Sequence, residues 1–232
     1  MQHLVLCSDY DGTLAHHGEL LDRTTRALER LRASGRRIVL VTGRRLDDLQ
    51  SVCGRLDLFD YVVAENGALL YRPATGEECS LAQPPPDHFI ETLKARGIDR
   101  IAEGRVIVAT WEPYETIVLE AIRDLGLELQ VIFNKGAVMV LPSGISKATG
   151  LAVALERLQI PRESAVGIGD AENDHALLAF CGCSVAVANA LQSLKDEADV
   201  VTRGSHGDGV IEVIESLIVR DACAPASGSQ SR

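Results

Sequence analysis

The chain has no excess of positive charge: 33 acids stand against 23 lysines and arginines, for a formal net charge of −10. A nucleic-acid footprint needs a basic face, so no nucleic-acid partner is expected. The same balance does not bar a phosphate substrate, for which a local cationic pocket suffices. No apolar run approaches the roughly 18 residues of a membrane span, so no membrane partner is expected. The N-terminal segment lacks the charged-then-apolar pattern of a secretory signal, since acids begin at Asp9. The six cysteines (Cys7, Cys53, Cys79, Cys181, Cys183 and Cys223) form no CxxC pair. Core thiols in a reducing cytoplasm are therefore expected in place of disulfides or zinc. There is no internal repeat, and no GxxxxGK(S/T) loop, which excludes a P-loop ATPase within this chain. The 232 residues, 46% hydrophobic and 24% charged, describe an ordinary globular chain long enough for one domain or two small ones.

The most informative stretch is Ser8-Asp9-Tyr10-Asp11-Gly12-Thr13. It follows the apolar run Leu4-Val5-Leu6-Cys7, which reads as a buried strand. Side chains two apart in an extended segment share a face, so Asp9 and Asp11 can converge at the strand's end. Gly12 permits a sharp turn and a close approach of backbone amides to an anion. Two acids held together repel unless a cation sits between them or one keeps a proton. Hard oxygen ligands favour Mg²⁺. The same six residues also suit a strand ending in an Asx turn.

Further along, a helix capped by Asp22 is expected to about Ser34, with Leu21, Thr25, Leu28 and Leu31 as its inner stripe and Gly35 ending it. Strand 38–41 ends in Thr42-Gly43-Arg44, a helix follows from about 45 to 54, and strand 61–64 ends in Glu65-Asn66-Gly67. This alternation is the grammar of a doubly wound parallel α/β sheet. Gln83-Pro84-Pro85-Pro86 then breaks the chain. An α+β insert is expected over 83–142: a helix, a strand, a helix, and a hairpin turning at Asn134-Lys135-Gly136. The core is accordingly assigned to 1–82 and 143–221, and the tail 222–232, rich in Ala, Ser, Pro and Gly, is expected to be disordered. In the second half a helix begins near Ser146, carrying Lys147. Strand 165–168 ends in Gly169-Asp170-Ala171-Glu172-Asn173-Asp174.

Asp9/Asp11, Thr42-Gly43-Arg44 and Asp170–Asp174 thus all fall beyond the carboxyl ends of parallel strands, where ligands of open α/β sheets bind. Lys147 arrives at a helix start, which favours a bound anion. Each cluster alone has a bland reading as a capped turn or a solvated side chain. Together they would need four coincidences at one edge.

The order DxDGT, TGR, Lys, GDxxND resembles the haloacid dehalogenase superfamily of phosphohydrolases, and an insert between the second and third motifs is similar to a class-two cap of the Cof-type branch. Val187-Ala188-Asn189-Ala190, Gly207-Asp208-Gly209-Val210 and Glu65-Asn66-Gly67-Ala68 extend the resemblance. It implies a Mg²⁺-dependent phosphatase acting on a small-molecule phosphate ester, with Asp9 as nucleophile forming an aspartyl-phosphate. It implies that Asp11 protonates the leaving oxygen and then deprotonates water, which requires a raised pKa. Asp9, the Asp11 backbone carbonyl, Asp170 and Asp174 are the implied metal ligands. Thr42, Gly12, Gly43, Arg44, Asn66 and Asn173 are the implied phosphate or substrate contacts, and Lys147 is the implied neutralising charge. Dehalogenase members do not use the second carboxylate, so its presence here favours phosphoryl transfer.

Within the branch the compact cap resembles those of archaeal-type phosphoglycolate phosphatases, with sugar phosphatases as the neighbouring substrate class. A phosphomutase of the phosphomannomutase type and a phosphatase domain fused to a P-loop ATPase carry the same motifs. In the insert, acids outnumber bases, which favours a phosphatase with a neutral or sugar-like leaving group over a bisphosphate-binding mutase. Candidate leaving-group contacts are His88, Trp111, Glu112, Tyr114, Asn134 and Lys135, with Trp111 also suited to a packing role. A cytoplasmic monomer or homodimer is expected.

Overall fold

The computed structural model describes residues 2–223. The first half contains β1 (Val5–Ser8), α1 (Asp22–Ala33), β2 (Arg37–Val41), α2 (Leu46–Val52), β3 (Tyr61–Ala64), β4 (Leu69–Arg72) and β5 (Glu77–Ser80). Next come α3 (Asp87–Ala95), β6 (Ala102–Glu103), β7 (Val108–Trp111), α4 (Glu115–Asp124), β8 (Leu129–Asn134) and β9 (Ala137–Pro142). The chain closes with α5 (Lys147–Leu158), β10 (Ala165–Gly169), α6 (His175–Phe180), β11 (Cys183–Ala186), α7 (Gln192–Glu197), β12 (Val200–Val201) and α8 (Gly207–Arg220).

The large sheet runs β12-β11-β10-β1-β2-β3-β4-β5. It is parallel from β12 to β3, and the expected doubly wound α/β fold is what the chain adopts. β1 lies at its centre, with Val5 opposite Arg37 on one side and Ala165 on the other. Burial on both faces explains why β1, β2, β3 and β10 read as continuous apolar runs with no alternation. The antiparallel edge β4–β5 was not foreseen: Glu77, Glu78 and Ser80 are exposed, so that strand carries no apolar signal.

Two local expectations need correction. Leu21, not Asp22, stands at the α1 cap position, and no side chain caps that end. The buried stripe of α1 is Thr24, Ala27, Leu28 and Leu31, one residue off the expected Leu21/Thr25 phase. Cysteine usage also departs from expectation, because Cys183 and Cys223 are joined in a disulfide with 6.7 Å between their Cα atoms. They are 40 residues apart, and only the return of α8 toward the start of β11 brings them together, which spacing cannot show. Most of the expected disordered tail lies outside the described residues.

The small sheet, β6-β7-β9-β8, is antiparallel. Strand alternation divides its residues between two faces. Val108, Val138 and Val140 pack with Phe89 and Leu93 of α3 and Val118 and Ala121 of α4. Ala109 and Trp111 of β7 and Ala137 and Met139 of β9 turn the other way, toward the carboxyl edge of the large sheet. A third apolar cluster, Ala68, Val106, Ile107, Met139 and Leu141, joins the two sheets. Beside it the buried Glu65 carboxylate accepts the backbone N–H groups of Arg105 (2.7 Å), Val106 (2.8 Å) and Ile107 (2.9 Å). A Cβ on Gly104 would stand 2.6 Å from that carboxylate, so the fit needs glycine there. Among the described residues, no helix is long and apolar enough to cross a membrane.

Candidate active site

β1 and β10 deliver Asp9 and Asp170 side by side at the carboxyl edge, since the strands pair in parallel with Ser8 opposite Ile168. Lys147 comes from the first turn of α5, whose start is fixed by a reciprocal Ser146–Thr149 capping box. A cation at a helix N-terminus opposes the macrodipole, and burial to 1% exposure removes its solvent. Two carboxylates compensate: the Lys147 ammonium donates to Asp9 Oδ1 and Asp174 Oδ1, each at 2.6 Å. Removing one partner of such a buried set would leave an uncompensated charge, at a cost of about 3–5 kcal/mol.

Asp174 is fully engaged, because its Oδ2 accepts the backbone N–H groups of Asp170 (2.9 Å) and Ala171 (3.0 Å). Asp170 accepts Thr13 Oγ1–H at 2.9 Å and the Lys135 ammonium at 2.8 Å. Asp9, Asp170 and Asp174 each place one oxygen within 4.8 Å of the others, a grouping able to hold a metal ion. Burial raises the Asp9 carboxyl, Lys147 pulls it down and the charges of Asp174 and Asp170 push it up, for a net rise to about 7. Burial lowers the pKa of Lys147, but the charges of Asp174 and Asp9 outweigh it and the group titrates above its ordinary range.

Asp11 points to Arg44, which donates to Asp11 Oδ1 at 2.8 Å and to Asp48 Oδ2 at 2.8 Å. Arg44 is thereby a clamp on the second carboxylate, and those hydrogen bonds raise its own pKa. Thr42 Oγ1 accepts the Arg44 backbone N–H at 3.1 Å. Gly12 adopts φ +90°, and a Cβ there would collide with the Asp170 carboxylate. The same turn is held from behind, its carbonyl accepting Asn189 Nδ2–H at 2.8 Å and lying 2.9 Å from His206 Nδ1. At Gly43 a Cβ would stand 3.3 Å from Asn173 Nδ2. Asn173 donates to Asn66 Oδ1 at 2.9 Å, leaving its own Oδ1 buried and unpaired among the described residues.

The side chains expected to hold metal and phosphate are therefore gathered at one edge. Over them lies a cavity of about 520 Å³, lined below by Asp9, Asp11, Thr42, Gly43 and Arg44 and above by the small sheet. Of the six candidate leaving-group contacts, Trp111, Asn134 and Lys135 line it; His88, Glu112 and Tyr114 do not. Arg100, which the sequence did not single out, also lines it and stacks on Trp111 with its guanidinium carbon 3.6 Å from the ring centroid. Arg100 and Lys135 are the charged contributions of the small sheet's segment, and no acid from that segment lines the cavity. The count of acids over the whole insert was thus a poor guide to its functional face.

Comparison with known proteins is consistent with this geometry. A family described as haloacid dehalogenase-like hydrolases matches residues 6–109 and 118–214. A phosphoglycolate phosphatase of Natronomonas pharaonis is 32% identical over 221 residues, spanning 90% of this chain and 96% of that protein. One from Pyrobaculum aerophilum is 31% identical over 226 residues, spanning 95% and 98%. Among solved structures, a subclass IIB sugar phosphatase superposes with a TM-score of 0.74 at 20% identity, covering 93% of this chain and all (100%) of that one. At that identity the likeness speaks for the fold.

Proposed function

The chain belongs to the haloacid dehalogenase-like hydrolase family and is a phosphatase, and from that premise we propose that it hydrolyses a small phosphate monoester through an aspartyl-phosphate on Asp9, with Mg²⁺ as cofactor. The observation that carries this reading is the buried Asp9–Lys147–Asp174 set beside Asp170, at the mouth of a cavity. The donors fit a hard divalent cation: they are all oxygens, and a cationic ammonium already lies 2.8 Å from both Asp11 O and Asp170 Oδ2. Asp9, the Asp11 carbonyl, Asp170 and Asp174 would hold the ion. When bound, it supplies the positive charge that draws a dianionic phosphate against carboxylates.

In the proposed reaction a carboxylate oxygen of Asp9 attacks phosphorus and the ester P–O bond breaks. Asp11 is ion-paired to Arg44 before substrate binds, and on release from that pair it carries the proton that it gives to the departing oxygen. Asp11 then takes a proton from water, whose oxygen displaces Asp9 from phosphorus and frees inorganic phosphate. Lys147 stabilises the charge of Asp9 and of the transferring group without moving. Arg44 orients Asp11, while Thr42, the Gly43 amide and Asn173 receive the phosphoryl oxygens. Residues 83–142 act as a cap that supplies the leaving-group contacts.

The cap cations favour a leaving group that carries a carboxylate, so phosphoglycolate is the preferred substrate, in line with the relatives' activity. One feature favours a second reading: Asn134 Oδ1 is buried with no donor, which suits a hydroxyl on a sugar phosphate. Steady-state kinetics on phosphoglycolate and hexose phosphates, with Mg²⁺ and then with EDTA, separate these outcomes. Phosphoglycolate should give the highest kcat/KM, and EDTA should abolish turnover until Mg²⁺ is restored. Full activity in EDTA would refute the metal assignment, and preference for a hexose phosphate would select the second reading.

A further inference from the structure

Lys135, one of the cap cations that line the cavity, also makes contacts that binding a leaving group does not explain. It forms the tip of the β8–β9 hairpin, in a two-residue turn with φ +49° at Lys135 and +80° at Gly136. Such turns favour Asn or Gly at the first position, so a lysine there is an imposed choice. From this tip the side chain, 48% exposed, reaches down to Asp170, which is 5% exposed. Its Nζ donates to Asp11 O and to Asp170 Oδ2, both at 2.8 Å. The other acids already have partners: Asp11 has Arg44, and Asp9 and Asp174 share Lys147. Lys135 is therefore the counter-ion of Asp170.

We propose that the Lys135 ammonium is a tethered stand-in for the divalent ion: it competes for the oxygens that would hold the metal, holds the hairpin down on the site, and is displaced when metal binds. This rests on the metal assignment made above. Mg²⁺ takes oxygen ligands at about 2.0–2.1 Å, so both cations cannot keep Asp11 O and Asp170 Oδ2 at once. Metal entry must break the Lys135 contacts and release the hairpin. By reciprocity, a hairpin held closed weakens metal binding by the same factor by which metal opens the hairpin.

Calorimetric titration of Mg²⁺ into the full chain, without substrate, tests this on wild type, Lys135→Met, Lys135→Gln and Asp170→Asn. Both lysine variants should bind Mg²⁺ about tenfold more tightly than wild type, within the usual range of such couplings. Lys135 lies at an exposed hairpin tip, so the apolar core is untouched, and two variants guard against an idiosyncratic one. The single tryptophan, Trp111, pairs with Ala137 beside the hairpin. Its emission should change on Mg²⁺ addition in wild type and stay constant in Lys135→Met. Equal or weaker Mg²⁺ affinity in both lysine variants, or the same emission change in wild type and Lys135→Met, overturns the proposal while leaving the metal site standing. Wild-type affinity in Asp170→Asn removes the metal assignment and this proposal together.

Discussion

The two sheets of this protein are built to different standards. The large sheet buries one extended apolar cluster, from Val5 and Leu6 on β1 to Leu217 on α8, and sets its polar groups on strand ends and a capped helix. The small sheet has a core of eight buried side chains, among them Phe89, Val118 and Val140, and lends its other face to a cavity. On the proposed reading, chemistry that tolerates little displacement sits on the first, and selection among leaving groups sits on the second. In that reading an extensively buried base and a thinly supported roof divide the labour that catalysis by differential binding requires.

The widest gap between the two should appear at Asp9 and Asp11. Asp9→Asn should lower kcat by at least about ten-thousandfold on every ester, as loss of a nucleophile does. Asp11→Asn should cost about 10²- to 10⁴-fold on an alkyl phosphate, whose leaving oxygen needs a proton. On an aryl phosphate with an acidic phenol it should still accumulate phosphorylated protein, visible as an increase in intact mass. A phosphorylated Asp9→Asn protein would reverse the assigned roles.

A cap substitution should act through binding and spare the chemistry. Arg100→Ala should raise KM for phosphoglycolate by about 10- to 100-fold, the range for a lost charged hydrogen bond, and leave kcat/KM for p-nitrophenyl phosphate within about twofold. A matching loss on both substrates would show that Arg100 props the cap and does not contact the leaving group.

The smallest effect concerns stability. The Asp9 carboxyl titrates near 7 in the metal-free fold against 3.8 for the free side chain, so the folded state binds the extra proton. Its contribution is full below pH 3.8 and is lost as pH rises through about 7. In EDTA, Asp9→Asn should therefore gain on wild type by several degrees in Tm between pH 5 and pH 8, a shift on the scale of about 2–3 kcal/mol. A constant difference across that interval would mean that Asp9 is ionised throughout.

This division also governs what could be read from the sequence. The side chains proposed to be catalytic were legible in their placement because each follows a continuous apolar strand or opens a helix, so sequence position fixes place in space: Asp9 after β1, Thr42 after β2, Asp170 after β10. The cap's working face was not. Whether Arg100 or Asp99 turns inward depends on loop geometry, and the count of acids across the insert, which pointed to a phosphatase as the relatives bear out, says nothing of which charges line the cavity. Glu65 was noted only as part of a strand ending, since nothing in its neighbours shows that its carboxylate grips residues 105–107. Lys135 was named as a leaving-group contact, but its reach to Asp170 crosses between sheets. The Cys183–Cys223 bridge and the β4–β5 edge leave no local signature at all.

The Glu65 grip has a consequence for how such a protein can diversify. The carboxylate holds main-chain N–H groups, which every residue except proline possesses. The side chains of Arg105, Val106 and Ile107 are not what it reads. Apart from the glycine at 104 and the apolar Val106 and Ile107 that the joining cluster buries, the joint between the sheets holds main chain and is indifferent to the residues around it. Mutations can rewrite the roof residue by residue, trying one leaving group after another, while the attachment that aligns roof and base stays unchanged.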